Sequence, residues 1–174
     1  MRLKKRHRSS LIKYKILAVI FVLAACFAFG CSYISKYSKA QDYFNAAAQA
    51  DMGRRFNPDP NINSKNELIA SNQIISNYAL AYKSITELIE KNKSKLKKDR
   101  LLGNALTIKA MSEWKLGNYV IARETAVEAL KENKEQLFPR DLALMTAMPG
   151  LIKTDQAYSH TMSNKSDKTY KDIK

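Results

Sequence analysis

Two stretches of this chain, 41 residues apart, nearly repeat one another: NYALAYKSITELIEKN at Asn77–Asn92 and NYVIARETAVEALKEN at Asn118–Asn133. Asn77/Asn118, Tyr78/Tyr119, Ala81/Ala122, Glu87/Glu128 and Asn92/Asn133 are identical pairs. A further step of 41 toward the N-terminus keeps the skeleton at Tyr37, Ala40, Phe44 and Ala47. These correspond to Tyr78, Ala81, Ile85 and Leu88, then to Tyr119, Ala122, Ala126 and Ala129. Offsets of 3, 7 and 10 from each Tyr fall on one face of a helix. A helix face that recurs at a fixed period is the mark of a helical repeat array. The period therefore predicts an all-α fold, a short array of helical hairpins of about two and a half repeats. The five Gly and four Pro among 174 residues suit long helices better than a turn-rich β fold.

The leader sets the compartment. Residues 1–15 hold seven Lys or Arg and no acid, which is half of the net charge of +14. From Ile16 to Cys31 no residue is charged. A basic stretch followed by an apolar run that ends in a small residue and a cysteine has the layout of an export signal. Leu23-Ala24-Ala25-Cys26 and Ala28-Phe29-Gly30-Cys31 both resemble the lipobox of bacterial lipoproteins, in which the cysteine sulfur receives diacylglycerol. LAAC matches the motif more closely. Cys31 leaves the longer apolar segment and is followed at once by polar Ser32, which favours Cys31 with Cys26 as the alternative. An uncleaved helix over Ile16–Ile34, just long enough to span a bilayer, and plain secretion are the competing readings. All three put the domain on the extracytoplasmic side of a bacterial membrane. For a lipoprotein, Ser32 lacks the acidic residue that retains such proteins at the inner membrane, which implies the outer membrane where there is one. Both cysteines lie in the leader, so neither a disulfide nor a thiolate site is left for the domain.

Residues 1–31 are thus read as signal or anchor, 32–159 as the helical domain and 160–174 as a disordered polar tail. Within the domain, Ser32 to about Arg55 is expected to be a helix, with Phe56-Asn57-Pro58-Asp59-Pro60-Asn61 a loop. Ser64-Lys65-Asn66-Glu67 has capping-box spacing, opening a helix from about Lys65 to Ser76 that turns into one over Tyr78–Lys91. Asp99 is expected to cap a helix running to Lys115, and Gly117 to turn the chain into the next one. After Phe138-Pro139, a last segment interrupted at Pro149-Gly150 carries Leu142, Leu144, Met145, Met148, Leu151 and Ile152, suited to covering the end of the array.

Gly117, Tyr119, Ala122, Ala129 and Leu130 resemble the second half of a tetratricopeptide repeat, and Ala105, Ala110 and Leu116 its first half. The period of 41 exceeds the family's usual ~34, Ala126 stands where an aromatic is common, and Lys134 replaces the closing Pro. The resemblance implies a concave groove that binds extended peptides. On the first helices its groove positions are Asn66, Gln73, Asn104, Thr107, Met111 and Lys115, with Trp114 either beside them or packed beneath the following helix. Their amides and hydroxyls suit a peptide backbone.

No enzyme signature accompanies this plan. His7 lies in the leader and His160 near the tail, so no His pair offers a zinc site. Nucleophile elbow, phosphate-cradling loop and dinucleotide fingerprint are missing from the sequence, and no cofactor is expected. The bulk charge belongs so much to the leader that nucleic acid is not expected as a partner. KNKSKLKKDR at 91–100 reads as a solvated helix end, or as a patch (Lys93, Lys95, Lys97, Lys98) for anionic lipid. The expected function is a membrane-anchored scaffold for protein–protein interaction, with an accessory or ligand-binding subunit of a solute transport system as the alternative.

Overall fold

The computed structural model describes residues 33–56 and 63–171, with side chains to residue 157. Among the described residues the chain is all-α. Residues 33–56 form α1; α2 spans Ser64–Lys98, α3 Leu102–Lys115, α4 Tyr119–Asn133 and α5 Pro139–Lys171, with a single 3-10 turn at Lys134–Gln136. The chain separates into two compact units, Met1–Lys36 and Tyr37–Lys174. Of the first, only 33–36 are described, and they are helical. Cys26, Cys31 and most of the expected 56–61 loop lie outside the described residues. No described helix is long and apolar enough to cross a membrane.

Most of the recurring face is buried. Ala40, Ala47, Ala81, Ile85, Ala122 and Ala129 have no exposed surface, Leu88 and Ala126 1%, and Tyr78 3%. Tyr37, Phe44 and Tyr119 are half-buried. Phe44 meets Tyr78 edge to face at 5.8 Å between ring centres. Phe44 and Leu116 pack on a cluster of Ala47, Ile74 and Tyr78, which joins α1, α2 and the end of α3.

α2 departs from expectation. Its 35 residues run without a break through Ser76-Asn77 and kink at Asn92 instead. The reason lies in the stripe Ile74, Tyr78, Ala81, Ile85, Leu88, all buried and spaced 4, 3, 4, 3. A continuous helix keeps all five on one side, and Ser76 supplies no left-handed residue to end it. The only non-helical backbone inside α2 is Asn92 (φ −135°, ψ 20°). Its N-cap is Asn63 rather than Ser64: Asn63 Oδ1 accepts from the Asn66 amide at 2.9 Å. At the other end Asp99 is the C-cap of α2, not the N-cap of α3. Arg100 (φ 57°) closes the helix, with Arg100 N–H donating to Lys97 O and Leu101 N–H to Leu96 O. Gly117 (φ 82°) closes α3 by the same pair of bonds, Gly117 to Trp114 O and Asn118 to Glu113 O. This 6→1 and 5→2 pattern satisfies carbonyls that a bare helix end leaves open.

α3 is the innermost helix. Leu102 through Ile108, Ala110, Ser112 and Glu113 are all buried, and α2, α4 and α5 all pack against it. Its approach to the end of α4 is so close that a Cβ on Gly103 would lie 3.1 Å from the Asn133 carbonyl oxygen and 3.2 Å from Asn133 Cβ and from Leu137 Cδ2. α4 answers with a stripe of small side chains, Ala122, Thr125, Ala126 and Ala129. α5 buries Met145, Met148 and Ile152 against this core. It runs through Pro149 and on to Lys171, across most of the segment expected to be a disordered tail; after Gly150 the sequence holds no Pro or Gly to stop it.

Candidate functional site

A cleft of about 400 Å³ opens where α1, α3 and the start of α5 converge. α1 contributes a row of exposed amides, Gln41, Asn45 and Gln49, four residues apart and so on one face of the helix. Phe44, Ala48 and Met52 flank that row. α3 supplies Asn104, Thr107, Ile108 and Met111, and the far wall is Phe138, Arg140, Asp141 and Leu144. The lining thus mixes amides with the apolar side chains of Ile108, Met111, Phe138 and Leu144, and carries the charges of Arg140 and Asp141 on its far side, a make-up that suits a binding cleft.

The polar groups of α3 are committed to holding the wall in place. Asn104 Nδ2 donates to the Gln136 carbonyl at 3.3 Å, while its Oδ1 accepts from the Phe138 amide at 3.4 Å. A single buried amide therefore anchors both sides of the turn into α5. Thr107 donates back to the Gly103 carbonyl at 3.2 Å. On the rim, Arg140 Nε lies 3.4 Å from Asp141 Oδ1. Burial and then the nearby Asp141 charge push the Tyr37 phenol up to about 12, so it stays protonated.

Beyond the cleft, Asp51 ties α1 to α3. Its carboxylate accepts from Lys115 Nζ at 2.8 Å and from Arg55 Nε at 3.1 Å. Burial alone would raise this carboxyl, but the hydrogen bonds and charges of Lys115 and then Arg55 outweigh burial and hold it below 3.8. Burial and the Asp51 charge push Tyr78 up to about 12. A second polar cluster joins α3 to α4: fully buried Glu113 lies 3.1 Å from Lys109 Nζ and accepts from Thr125 at 2.7 Å.

Of the expected groove residues, Asn104, Thr107 and Met111 line the cleft together. Asn66 and Gln73 do not join them; both are exposed on the first half of α2 and line none of it, because α2 continues through Ser76-Asn77 without the turn a hairpin needs. Lys115 is spent on Asp51, and its ammonium sits 4.6 Å from the centre of the Trp114 ring. Trp114 is half-buried, with its indole N–H buried and unpartnered. The basic run at 91–100 is partly neutralised: Lys91 pairs with Glu87, and Lys93 donates to Glu128 at 2.9 Å, which raises the Lys93 pKa. The residues that sequence reasoning missed are Gln41, Asn45 and Gln49. Their four-residue spacing was visible, but only the first helix of each hairpin was expected to face a groove.

Among the described residues no three His, Cys, Asp or Glu gather where they could hold a metal ion. Comparison with known protein families, with curated proteins and with solved structures found no match.

Proposed function

We propose that this chain is a membrane-anchored, tetratricopeptide-like scaffold of the bacterial cell envelope, which holds a segment of a partner protein in the α1–α3–α5 cleft on the extracytoplasmic side. The observation that carries the reading is the cleft, where the Gln41–Asn45–Gln49 row stands exposed beside the Ile108–Met111–Leu144 wall. Amides that donate and accept match a peptide backbone, and the apolar wall takes side chains. The leader supports the anchor, through Cys31 or Cys26 or as an uncleaved helix. The α3–α4 hairpin supports the repeat: it turns at Gly117 and buries Ala122, Ala126 and Ala129. α2 departs from that plan by continuing through Ser76-Asn77.

The cleft's size favours a second reading. Sites for small molecules occupy roughly 300–1,000 Å³, and a cleft of about 400 Å³ falls within that range, so a ligand-binding accessory subunit of a transport system is the alternative. Crosslinked membranes carrying the full chain as bait separate the two. Recovery of a defined protein, lost when Gln41, Asn45 and Gln49 are all changed to Ala, is the expected result. Recovery of lipid alone would sink the scaffold, and a small solute retained in native mass spectrometry would replace it with the transport reading.

A further inference from the structure

Beyond Cys31 the chain carries 23 Lys or Arg against 16 acids, a net +7. Residues 91–100 hold six of those bases and one acid, so +5 of that charge sits in ten residues. The helices fix where the run lies within the unit that begins at Tyr37. α1 runs antiparallel to α2: Arg54 meets Ser71, Ala47 packs with Ile74 and Tyr78, and Phe44 meets Tyr78. Tyr37, two turns before Phe44, is therefore level with residues about two turns after Tyr78. The last turns of α2 reach past the level at which the chain enters the unit. α3 starts at this end and α4 finishes there, since Lys93 bonds Glu128 and Gly103 lies against Asn133. Bases from three elements meet as a result. Arg100, Lys131 and Lys134 line a hollow of about 440 Å³. Glu132 and Glu135 share that lining, so three bases against two acids leave the hollow itself at only +1, and the run beside it supplies the excess. Leu96 is fully buried and fixes the last turn of α2, while Lys97 and Lys98 stand exposed. Arg100 is exposed too, on a left-handed backbone that glycine takes more cheaply, as Gly117 does at the end of α3. An arginine kept at a strained position points to a use for its side chain.

We propose that this end of the helical unit lies on the bilayer, where Lys97, Lys98 and Arg100, with Lys131 and Lys134 beside them, contact the phosphates of anionic phospholipids. The proposal rests on the reading of the leader as a membrane anchor. Basic side chains gain from an anionic headgroup layer only within about a Debye length, roughly 8–10 Å. The anchor supplies that nearness, because the chain enters the unit at the same end as the run. The charges then select which end meets the surface, and the domain is oriented rather than free to swing about its attachment.

The test reconstitutes the full chain into vesicles of phosphatidylcholine and into vesicles rich in phosphatidylglycerol, both carrying nitroxide on their headgroups. A fluorophore on a non-canonical residue at Ser94, or at Gln73 about 30 Å away along α2, leaves Cys26 and Cys31 native. On the anionic vesicles Ser94 should be quenched severalfold more than Gln73. High salt should remove that excess, and so should Lys97→Gln, Lys98→Gln and Arg100→Gly together. All three sites are exposed and glycine relieves the backbone at 100, so the triple variant should stay folded, as circular dichroism would verify. Equal quenching at the two sites overturns the proposal, as does an excess at Ser94 that lipid charge, salt and the triple change all leave intact. Flotation tests the anchor separately. A chain that floats with phosphatidylcholine yet shows no excess at Ser94 on anionic vesicles sinks this proposal alone. One that floats only with phosphatidylglycerol and shows the excess removes the anchor and leaves the contact standing; one that floats with neither overturns both.

Discussion

Arg100 and Gly117 do the same backbone work at the ends of α2 and α3, with φ of 57° and 82°. Only glycine does it without a Cβ pressed toward the neighbouring carbonyl. Arg100→Gly should therefore raise stability by about 1 kcal/mol, and Gly117→Ala should lower it by about as much. Thermal unfolding followed by circular dichroism reads both; an unchanged midpoint for Arg100→Gly would mean that the arginine side chain offsets the strain. Gly117 was legible in the sequence because glycine after a basic last turn signals a helix end. Arg100 was not, since nothing in an arginine announces a left-handed backbone, and Asp99 took the eye as a cap instead. Asp51 carries a prediction in pH. Its folded pKa lies below its ordinary value, so the unfolded chain binds the proton first. Its contribution is complete above about pH 4 and is lost as pH falls through the lower folded value. Denaturant melts should thus show wild type losing stability faster below that pH than Asp51→Asn, which at neutral pH costs about 2 kcal/mol by leaving Lys115 unpaired.

At the scale of elements, most of the recurring helix face was legible: nine of its twelve positions in α1, α2 and α4 are buried, as their spacing predicts, while Tyr37, Phe44 and Tyr119 are half-buried. The continuity of α2 at Ser76-Asn77 was not, because the competing signals, a turn there and an unbroken stripe from Ile74 to Leu88, sit on the same residues. α3 shows a different limit. Its interior position places Asn104, Ser112 and Glu113 where sequence habits expect solvent. Tertiary contacts satisfy two of them, Gln136 and Phe138 for Asn104 and Thr125 and Lys109 for Glu113, while the Ser112 hydroxyl is buried without a partner. Gly103 reads as a mild fault in a helix, yet it is required by the closeness of α4. Gly103→Ala should overpack that crossing and cost about 2 kcal/mol, read as a lowered denaturant midpoint with an unchanged slope. No loss of stability would show that the Asn133–Leu137 corner yields.

For the molecule as a whole, the cleft was half visible. Fold resemblance points to Asn104, Thr107 and Met111, which line the cleft, but not to α1's amides, because it assigns the groove to the first helix of each hairpin. Changing Gln41, Asn45 and Gln49 together to Ala should reduce partner capture at least tenfold. Exposed polar positions like these should move stability by under about 0.5 kcal/mol each, so a folded but non-binding protein is the expected outcome, and undiminished capture would place the partner elsewhere. The spacing of 41 holds one last consequence, at Asp51, Asn92 and Asn133. Asp51 grips Lys115 and Arg55, Asn92 donates to the Leu88 carbonyl, and Asn133 is buried with neither end of its amide partnered. One register position has thus taken on three separate duties. The matching segments are no longer interchangeable parts: a chimaera carrying 119–133 in place of 37–51 would keep the apolar face but bring an amide where Lys115 needs a carboxylate. Such a chain should still form helices while α1 loses its hold on α3.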